Sequence, residues 1–167
     1  MSGVNMTEIW DLVDINGIPV GVSWPRSDHA NIPEGCYHPC VEVWVRVRDK
    51  ILITQRHPSK SEGLKYDSPG GAVVSGEKMI EGAIRELAEE IGVYALPENL
   101  KYLGAVIGKR AYAASYLLVL DEMPSICIQP EEVVGYKMVT KSELEVMLNC
   151  LCEGCRRRYL MFKDKIF

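Results

Sequence analysis

Residues 71–93 constrain the fold of this chain more than any other segment, because they fix the register of one helix. In a helix the carboxylates of Glu86, Glu89 and Glu90 fall within an arc of about 100°. Like charges at these spacings repel one another. An apolar stripe lies beside the arc and is formed by Ile80, Ile84, Leu87 and Ile91. Residues 71–93, called the box segment below, therefore predict a helix that buries one face. The adjacent face presents carboxylates that need a cation.

The carboxylate face also favours a particular chemistry. Hard oxygen ligands select Mg²⁺ or Mn²⁺, ions that usually keep some of their waters and bind substrate phosphates as well. The chain has 23 acidic and 19 basic residues, a formal net charge of −4. An acidic protein attracts a polyanion only through bound cations or a local basic patch. We therefore predict a Mg²⁺ or Mn²⁺ site that serves a phosphoanhydride, with a merely solvated helix face as the alternative.

The box segment resembles the signature of the Nudix family. The resemblance implies a metal-dependent hydrolase that cleaves the diphosphate linkage of a nucleoside diphosphate joined to another moiety. It also implies the Nudix fold, an α/β (α+β) architecture in which a mixed sheet is sandwiched between helices. The positions that match the family signature are Gly71, Glu77, Arg85, Glu86, Leu87, Glu89, Glu90, Gly92 and Val93.

The same resemblance assigns roles around the metal. It implies metal ligands at the backbone carbonyl of Gly71 and at the side chains of Glu86, Glu89 and Glu90. Glu89 is predicted either to add a ligand or to polarise the attacking water.

Two further residues of the box segment have supporting roles by the same resemblance. In the family the counterpart of Arg85 pairs with that of Glu77 and holds the loop against the helix, which is a support for the metal ligands. An exposed ion pair of little energetic value is the alternative. We include Arg85 in the predicted catalytic set for this support and not for contact with substrate.

A glutamate outside the box segment completes the predicted catalytic set. Residues 129–133 also resemble Nudix proteins, in which a glutamate ahead of a late strand lies across the metal site. This position corresponds to Glu132, and less closely to Glu131. The general base is left open among Glu89, Glu90 and Glu132, and ordinary loop acids are the alternative for the last.

Substrate phosphates need positive partners, and basic residues cluster just before the box segment. Arg56 is the first candidate because a guanidinium can hold a phosphate through two hydrogen bonds. Arg26 is the second. Each has the alternative of being only a surface charge. Trp24, Tyr37 and Tyr66 are weaker candidates for stacking on a base.

Two other functions compete with hydrolysis. The flanking sequence resembles the isoprenoid-isomerase branch of the Nudix superfamily, in residues 14–17 and 55–56 and at Arg26, His29, Ser59 and Lys60. The isomerases use a cysteine and a histidine next to the box, where this chain has Gly70 and Ala72, which argues against isomerisation. A non-catalytic nucleotide-binding regulatory module is the other alternative, although it predicts damaged carboxylates and none is damaged.

The remaining sequence predicts a single domain, residues 1–167. Residues 1–24 form an N-terminal hairpin that turns at Asn16-Gly17, and residues 25–39 form a loop. Strands are predicted at 40–48, 51–56, 100–109, 111–120 and 133–139. Thr140 with Glu143 forms a capping box for a helix that reaches residue 149. Helices are thus expected on both faces of a mixed sheet.

The same reading gives expectations about partners and location. No signal peptide or membrane span is recognised, so we expect a cytoplasmic protein with reduced thiols. Three arginines at 156–158 are predicted at the surface and are too few to argue for binding a nucleic-acid polymer. A homodimer formed through the N-terminal hairpin is left open. Free thiols are favoured over a zinc site for the cluster of Cys150, Cys152 and Cys155.

Overall fold

The computed structural model describes residues 7–167 and begins with the predicted hairpin. Strand β1 (Ile9–Val13) pairs antiparallel with β2 (Pro19–Pro25). The carboxylate of Asp14 accepts hydrogen bonds from the backbone N–H groups of Asn16 and Ile18, at 2.8 and 2.9 Å. Gly17 follows with a φ of 77°, a left-handed conformation that glycine adopts readily. The hairpin prediction is confirmed from residue 9 onward, and residues 1–6 of the predicted 1–24 segment lie outside the described residues.

The segment after the hairpin is more ordered than the sequence indicated. A 3-10 helix spans Arg26–Asn31, within the predicted loop. The indole N–H of Trp24 donates to the carbonyl of Asp28 at 2.8 Å and ties the end of β2 to this helix. The turn-forming residues that predicted a loop are therefore used to make a short helix, which stands at the rim of the cavity described below.

A mixed sheet forms the centre of the molecule, as predicted. Its main path has the order β5-β4-β3-β8-β7, with β6 also paired to β3 and β9 to β4. The β3–β8 pair is parallel, and the other pairs are antiparallel. The strands are β3 (His38–Val47), β4 (Lys50–Arg56), β5 (Tyr66–Asp67), β6 (Gly70–Ala72), β7 (Leu100–Ile107), β8 (Ala111–Leu120) and β9 (Val133–Thr140).

Both faces of the central strand β3 are buried. Val43 and Val45 belong to the core on one side of the sheet, and Trp44 belongs to the core on the other. Alternation of apolar and polar residues usually marks a strand with one wet face. Here the alternate face carries Trp44 and Glu42, which are 0% and 2% exposed, so the second face also needs a covering layer.

Helices cover the two faces. Helix α1 (Met79–Ile91) buries Leu87 and Ile91 against the valine face of β3 and ends at Gly92, whose φ is 69°. Helix α3 (Glu153–Ile166) covers the opposite face, where its buried residues are Cys155, Tyr159, Phe162 and Ile166. The expected sandwich of helices around a mixed sheet is therefore confirmed.

The shorter helices connect these layers. The capping box of Thr140 and Glu143 starts helix α2 (Lys141–Val146) as predicted. The α-helix ends earlier than residue 149, because Met147 leaves helical geometry and a 3-10 helix follows at Leu148–Cys150. Another 3-10 helix, Pro97–Asn99, precedes β7. None of the helices within residues 7–167 has both the length and the apolar composition needed to cross a bilayer.

Candidate active site

One cavity of about 810 Å³ gathers nearly all the predicted site residues. Its walls come from β1, the 3-10 helix at 26–31, the loop after β4, β6, α1 and the segment ahead of β9. Apart from Glu77, every predicted site residue lines it. These are Arg26, Arg56, Gly71, Arg85, Glu86, Glu89, Glu90 and Glu132. Residues that are far apart in the sequence thus meet where α1 passes the end of β6.

Glu86 and Glu90 lie one turn apart on α1 and are the most buried carboxylates of the cavity wall. Burial raises the pKa of Glu86 and, more strongly, that of Glu90. The neighbouring charges of Glu86 and Asp67 raise the pKa of Glu90 further. One hydrogen bond opposes this rise, from the backbone N–H of Gly70 to Oε2 of Glu90 at 3.2 Å. Two carboxylates held against their own repulsion indicate a place where a cation binds.

The backbone at Gly71 lies directly against the Glu86 carboxylate. A Cβ atom at this position would lie 2.4 Å from Oε1 of Glu86, so a side chain here would displace the carboxylate. The close approach leaves a backbone segment and two carboxylates side by side. Such an all-oxygen donor set suits Mg²⁺ or Mn²⁺, and the residues present fit the predicted metal.

Arg85 is fully engaged within the protein. Its Nε and Nη2 contact the two carboxylate oxygens of Glu77 at 2.9 and 3.0 Å. Nη1 contacts Glu86 at 2.7 Å and Glu89 at 3.0 Å, and Nη2 also donates to the carbonyl of Ala72 at 2.8 Å. The hydrogen bonds to Glu77 are the main reason that the pKa of Arg85 is raised. The side chain therefore ties the loop to α1, which is the arrangement the resemblance implied.

The two predicted phosphate ligands differ in their setting. Arg56 is 27% exposed, and its Nη1 contacts Asp67 at 2.9 Å while its Nε donates to the carbonyl of Ser61 at 2.9 Å. Arg26 is 60% exposed and pairs with Glu8 at 2.8 Å. Both line the cavity, but Arg56 is held in place by its neighbours and Arg26 is much freer.

Glu132 lines the same cavity as Glu86 and Glu90. Its carboxylate forms an ion pair with Lys60. The charge of Glu132 contributes to the raised pKa values of Glu86 and Glu90. Its neighbour Glu131 is exposed and does not line the cavity.

Part of the cavity lining consists of residues that the sequence did not identify as a group. Trp10 stacks on His38, with ring centroids 4.4 Å apart, and His29 meets His38 edge-on at 5.0 Å. Burial lowers the pKa of His38 to about 4, and His29 lowers it further. The candidates Trp24, Tyr37 and Tyr66 are not in the lining. Alternation along β1 marks Trp10 as inward-facing, but only the folded hairpin shows that it faces this cavity.

One predicted surface residue is buried. Arg158 reaches under the sheet to Glu42 at 2.5 Å and Asp67 at 3.4 Å. Burial alone would lower the pKa of Arg158, but these two carboxylates raise it overall. The prediction was wrong for this arginine because α3 turns it inward.

A second group of ligand-type atoms lies around Arg158. Oxygen and sulfur atoms of Glu42, Asp67 and Cys155 lie within 4.8 Å of one another. The positive charge in this group is already supplied by Arg158. All six cysteines are free thiols, and Cys152 and Cys155 are buried.

Comparison with known proteins agrees with this geometry. The model of the NUDIX domain matches residues 37–154. The chain belongs to the Nudix family of hydrolases. It is 32% identical to an uncharacterized Nudix hydrolase of Clostridium acetobutylicum over 136 residues, which is 72% of this chain and 66% of that protein. It is 31% identical to one of Streptomyces coelicolor over 150 residues, 83% of this chain and 77% of that protein.

The Nudix fold is also seen in solved structures. The crystal structure of DR0079 from Deinococcus radiodurans matches with a TM-score of 0.74 and 23% identity, and covers 93% of this chain and 99% of that chain. Family and fold predictions are thus confirmed, as is the prediction of a hydrolase that acts on pyrophosphate linkages. Nudix hydrolases use divalent metal ions, for which Glu86 and Glu90 supply a donor set.

Proposed function

We propose that this Nudix hydrolase uses Mg²⁺ or Mn²⁺ to cleave the diphosphate linkage of a nucleoside diphosphate joined to another moiety. The observation that carries the proposal is the pair of buried carboxylates, Glu86 and Glu90, beside the backbone of Gly71 in a large open cavity. A diphosphate carries the negative charge that a cation at these carboxylates would bind. We treat residues 1–167 as one domain that does this work.

The protein groups divide the chemistry among them. A bound divalent ion would neutralise the phosphate oxygens and lower the pKa of a coordinated water. Glu86, Glu90 and the carbonyl of Gly71 would hold it, with Glu89 as an additional ligand. Arg85 keeps Glu86 and the loop in position through its contacts with Glu77 and the Ala72 carbonyl. The donor set is thereby held before substrate arrives, which is how a site avoids reorganisation during the reaction.

We assign the acceptance of a proton from the attacking water to one of two carboxylates in the cavity lining. Glu89 is half-exposed and contacts Arg85, and Glu132 comes from the segment ahead of β9 and contacts Lys60. The variants Glu132→Gln and Glu89→Gln distinguish the two candidates. Removal of the residue that acts as the general base should lower kcat by about 10²- to 10⁴-fold. Glu131→Gln is the matched control for Glu132, because Glu131 lies outside the cavity.

We also propose an orientation for the substrate in the cavity. Arg56 lies near the carboxylates and is held by Asp67, so we assign it to the diphosphate. Another cluster in the lining consists of Arg26, Trp10, His29 and His38, and we assign it to the moiety beyond the diphosphate. The mixture of rings, imidazole nitrogens and a guanidinium suits a polar group with hydrogen-bonding edges.

Turnover of a substrate panel with Mg²⁺ tests the proposal. The panel contains nucleoside triphosphates, dinucleoside polyphosphates, ADP-ribose, nucleotide sugars, coenzyme A and a 5′-triphosphorylated RNA. We expect release of a nucleoside monophosphate or phosphate from a small-molecule member. Glu90→Gln is expected to abolish it, and Glu98→Gln, on an exposed 3-10 helix, is the control. Binding without turnover of any member would favour the regulatory module, and cleavage of the RNA alone would contradict a small-molecule substrate.

Gly70 bears on the isomerase alternative that the flanking resemblance raises. A Cβ atom at Gly70 would lie 2.2 Å from the carbonyl oxygen of Val41. The backbone at the position aligned with the isomerase cysteine therefore has no room for a side chain, which supports hydrolysis. Formation of an allylic product from isopentenyl diphosphate would overturn this choice.

We further propose a cytoplasmic protein that binds neither membranes nor nucleic-acid polymers, and a homodimer formed through β2. The outer strand of the hairpin exposes Val20 and Val22, at 39% and 41%. An exposed edge strand of this kind is a template for pairing. Light scattering on the eluting protein should give twice the mass of one chain, and Val22→Lys should halve it.

A further inference from the structure

Arg158 of α3 is largely buried and stands behind the cavity rather than in its wall. It contacts Glu42 of β3 and Asp67 of β5, and its side chain is 16% exposed. A buried charge is costly unless it is paired and hydrogen-bonded.

Glu42 anchors one end of this arrangement. Besides its ion pair with Arg158, its carboxylate accepts hydrogen bonds from the indole N–H of Trp44 at 2.8 Å and from the hydroxyl of Ser115 at 2.6 Å, and it also contacts Ser68. Glu42 is 2% exposed. Its orientation is therefore set by three strands or their connections, and the guanidinium of Arg158 is fixed against a rigid partner.

Asp67 connects Arg158 to Arg56, which lies in the cavity wall. Its Oδ1 lies 3.4 Å from Nη2 of Arg158, and its Oδ2 lies 2.9 Å from Nη1 of Arg56. One carboxylate thus bridges two guanidinium groups, one behind the sheet edge and one in the cavity wall. The chain of contacts runs from Glu42 through Arg158 and Asp67 to Arg56.

The same helix also holds the loop that surrounds Arg56. Both carboxylate oxygens of Glu62 accept the backbone N–H of Glu153 at the start of α3, at 3.1 and 3.2 Å. The loop closes on Arg56 through the carbonyl of Ser61, 2.9 Å from Nε. Helix α3 therefore contacts both the loop around Arg56 and the acid that orients it.

We propose that Arg158 is a positioning residue for diphosphate binding: through Asp67 it fixes the guanidinium of Arg56 toward the cavity. The inference rests on the proposed function, in which Arg56 binds the diphosphate. Without Arg158, Asp67 would lose one of its two guanidinium partners and would be left with Arg56 and with the backbone N–H of Ser68, which donates to its Oδ1 at 3.0 Å. The Arg56–Asp67 pair would then sample several geometries, and only some would present Arg56 to the substrate.

Calorimetric binding of methylenediphosphonate in the presence of Mn²⁺ tests this role without requiring turnover. We compare the wild type with Arg56→Met, Arg158→Met and the double variant. Arg158→Met should weaken binding about tenfold, and in the Arg56→Met background it should have no further effect. Arg157→Met, which removes the neighbouring charge from the same helix, is the matched control and should bind like the wild type.

The outcomes separate the inference from the function on which it rests. Unchanged binding by Arg158→Met, or effects of the two substitutions that multiply, overturns the role of Arg158. A wild type that does not bind the probe overturns the proposed function and the inference together. If Arg158→Met does not fold, Arg158→Lys replaces it in the same cycle, because it keeps the charge but has one ammonium group for two carboxylates. A purely structural role would lower the unfolding midpoint and leave the dissociation constant of the folded protein unchanged.

Discussion

Two adjacent glycines at the start of the box segment are required for different reasons. A side chain at Gly70 would collide with the backbone of β3, whereas one at Gly71 would collide with the carboxylate of Glu86. Backbone can move only if the sheet moves, but a carboxylate can swing away. Substitution at Gly70 should therefore affect mainly the stability of the fold, and substitution at Gly71 mainly the position of the Glu86 carboxylate, a proposed metal ligand.

We expect Gly71→Ala to weaken Mn²⁺ binding by about tenfold or more, because it displaces Glu86, with little change in stability. We expect Gly70→Ala to lower the free energy of unfolding by about 3 kcal/mol, because β3 must shift. Titration with Mn²⁺ and denaturant unfolding measure the two effects. A large loss of stability in Gly71→Ala together with a large loss of Mn²⁺ affinity in Gly70→Ala would contradict this geometry.

His38 gives a prediction about acid stability. Its pKa is about 4 in the folded protein and 6.5 when unperturbed. The unfolded state therefore binds the proton more tightly, so this contribution is complete above pH 6.5 and is lost as the pH falls toward 4. The wild type should therefore lose on the order of 3 kcal/mol of unfolding free energy as the pH falls toward 4. His38→Phe keeps a ring that stacks on Trp10 and should not show this loss. Urea unfolding at pH 7 and pH 4.5 measures it; equal losses in the variant and the wild type would refute it.

At the scale of elements, local signals predicted what local contacts determine. The alternation in β3, the capping box of α2 and the glycine that ends α1 were all visible in the sequence. The inward turn of Arg158 was not, because its partner Glu42 lies on a strand far away in the sequence. The 3-10 helix at 26–31 was missed because prolines and polar residues are equally typical of loops.

The junction between the loop after β4 and α3 gives a prediction at this scale. Glu62 accepts the backbone N–H of Glu153, and Cys152 at the N-cap of α3 makes no side-chain cap hydrogen bond. Glu62→Ala should therefore cost about 1 kcal/mol of unfolding free energy, as loss of a cap does. Lys65→Met removes only the exposed ion pair to Glu62 and should cost less than about 0.5 kcal/mol. Equal effects in thermal unfolding would refute the cap.

At the scale of the whole molecule, the site is a concentration of negative charge in an acidic protein. The box register predicted which carboxylates share a helix face. It could not predict Trp10, His38 or Lys60 in the same cavity, because these arrive from other elements and carry no spacing relative to the box. Sequence thus predicts the part of the site that one helix carries, and the rest depends on tertiary packing.

Metal binding should therefore control the stability of the protein. Glu86 and Glu90 have pKa values above 4.5 when folded without metal, so the folded state holds protons more tightly than the unfolded state. The free energy of unfolding then falls as the pH rises from 4.5 toward these values. At a hundred times its dissociation constant, Mg²⁺ should add about 2.7 kcal/mol, or roughly 5 to 10 °C in melting temperature.

The variant Glu90→Gln distinguishes the effect of the buried carboxylate charge on stability from the effect of Mg²⁺ binding. In EDTA at pH 7.5 the variant should be more stable than the wild type, because an uncompensated buried charge is removed. It should gain nothing from Mg²⁺. Glu98→Gln should behave like the wild type in both buffers. A variant that is stabilised by Mg²⁺ as much as the wild type would place the metal elsewhere.

The parallel pairing of β3 with β8 has a consequence for how quickly this protein acquires its structure. Glu42 and Ser115, hydrogen-bonded across that pair, are 73 residues apart in the chain, and α1 with its carboxylates lies in the segment between them. Closing so long a loop costs conformational entropy, and this cost comes before the stabilising contacts of the sheet can form. Parallel pairing therefore favours slow refolding, on the millisecond-to-second scale of topologies rich in distant contacts. Helix α1, which bears Glu86 and Glu90, should reach its final place only when this closure is complete.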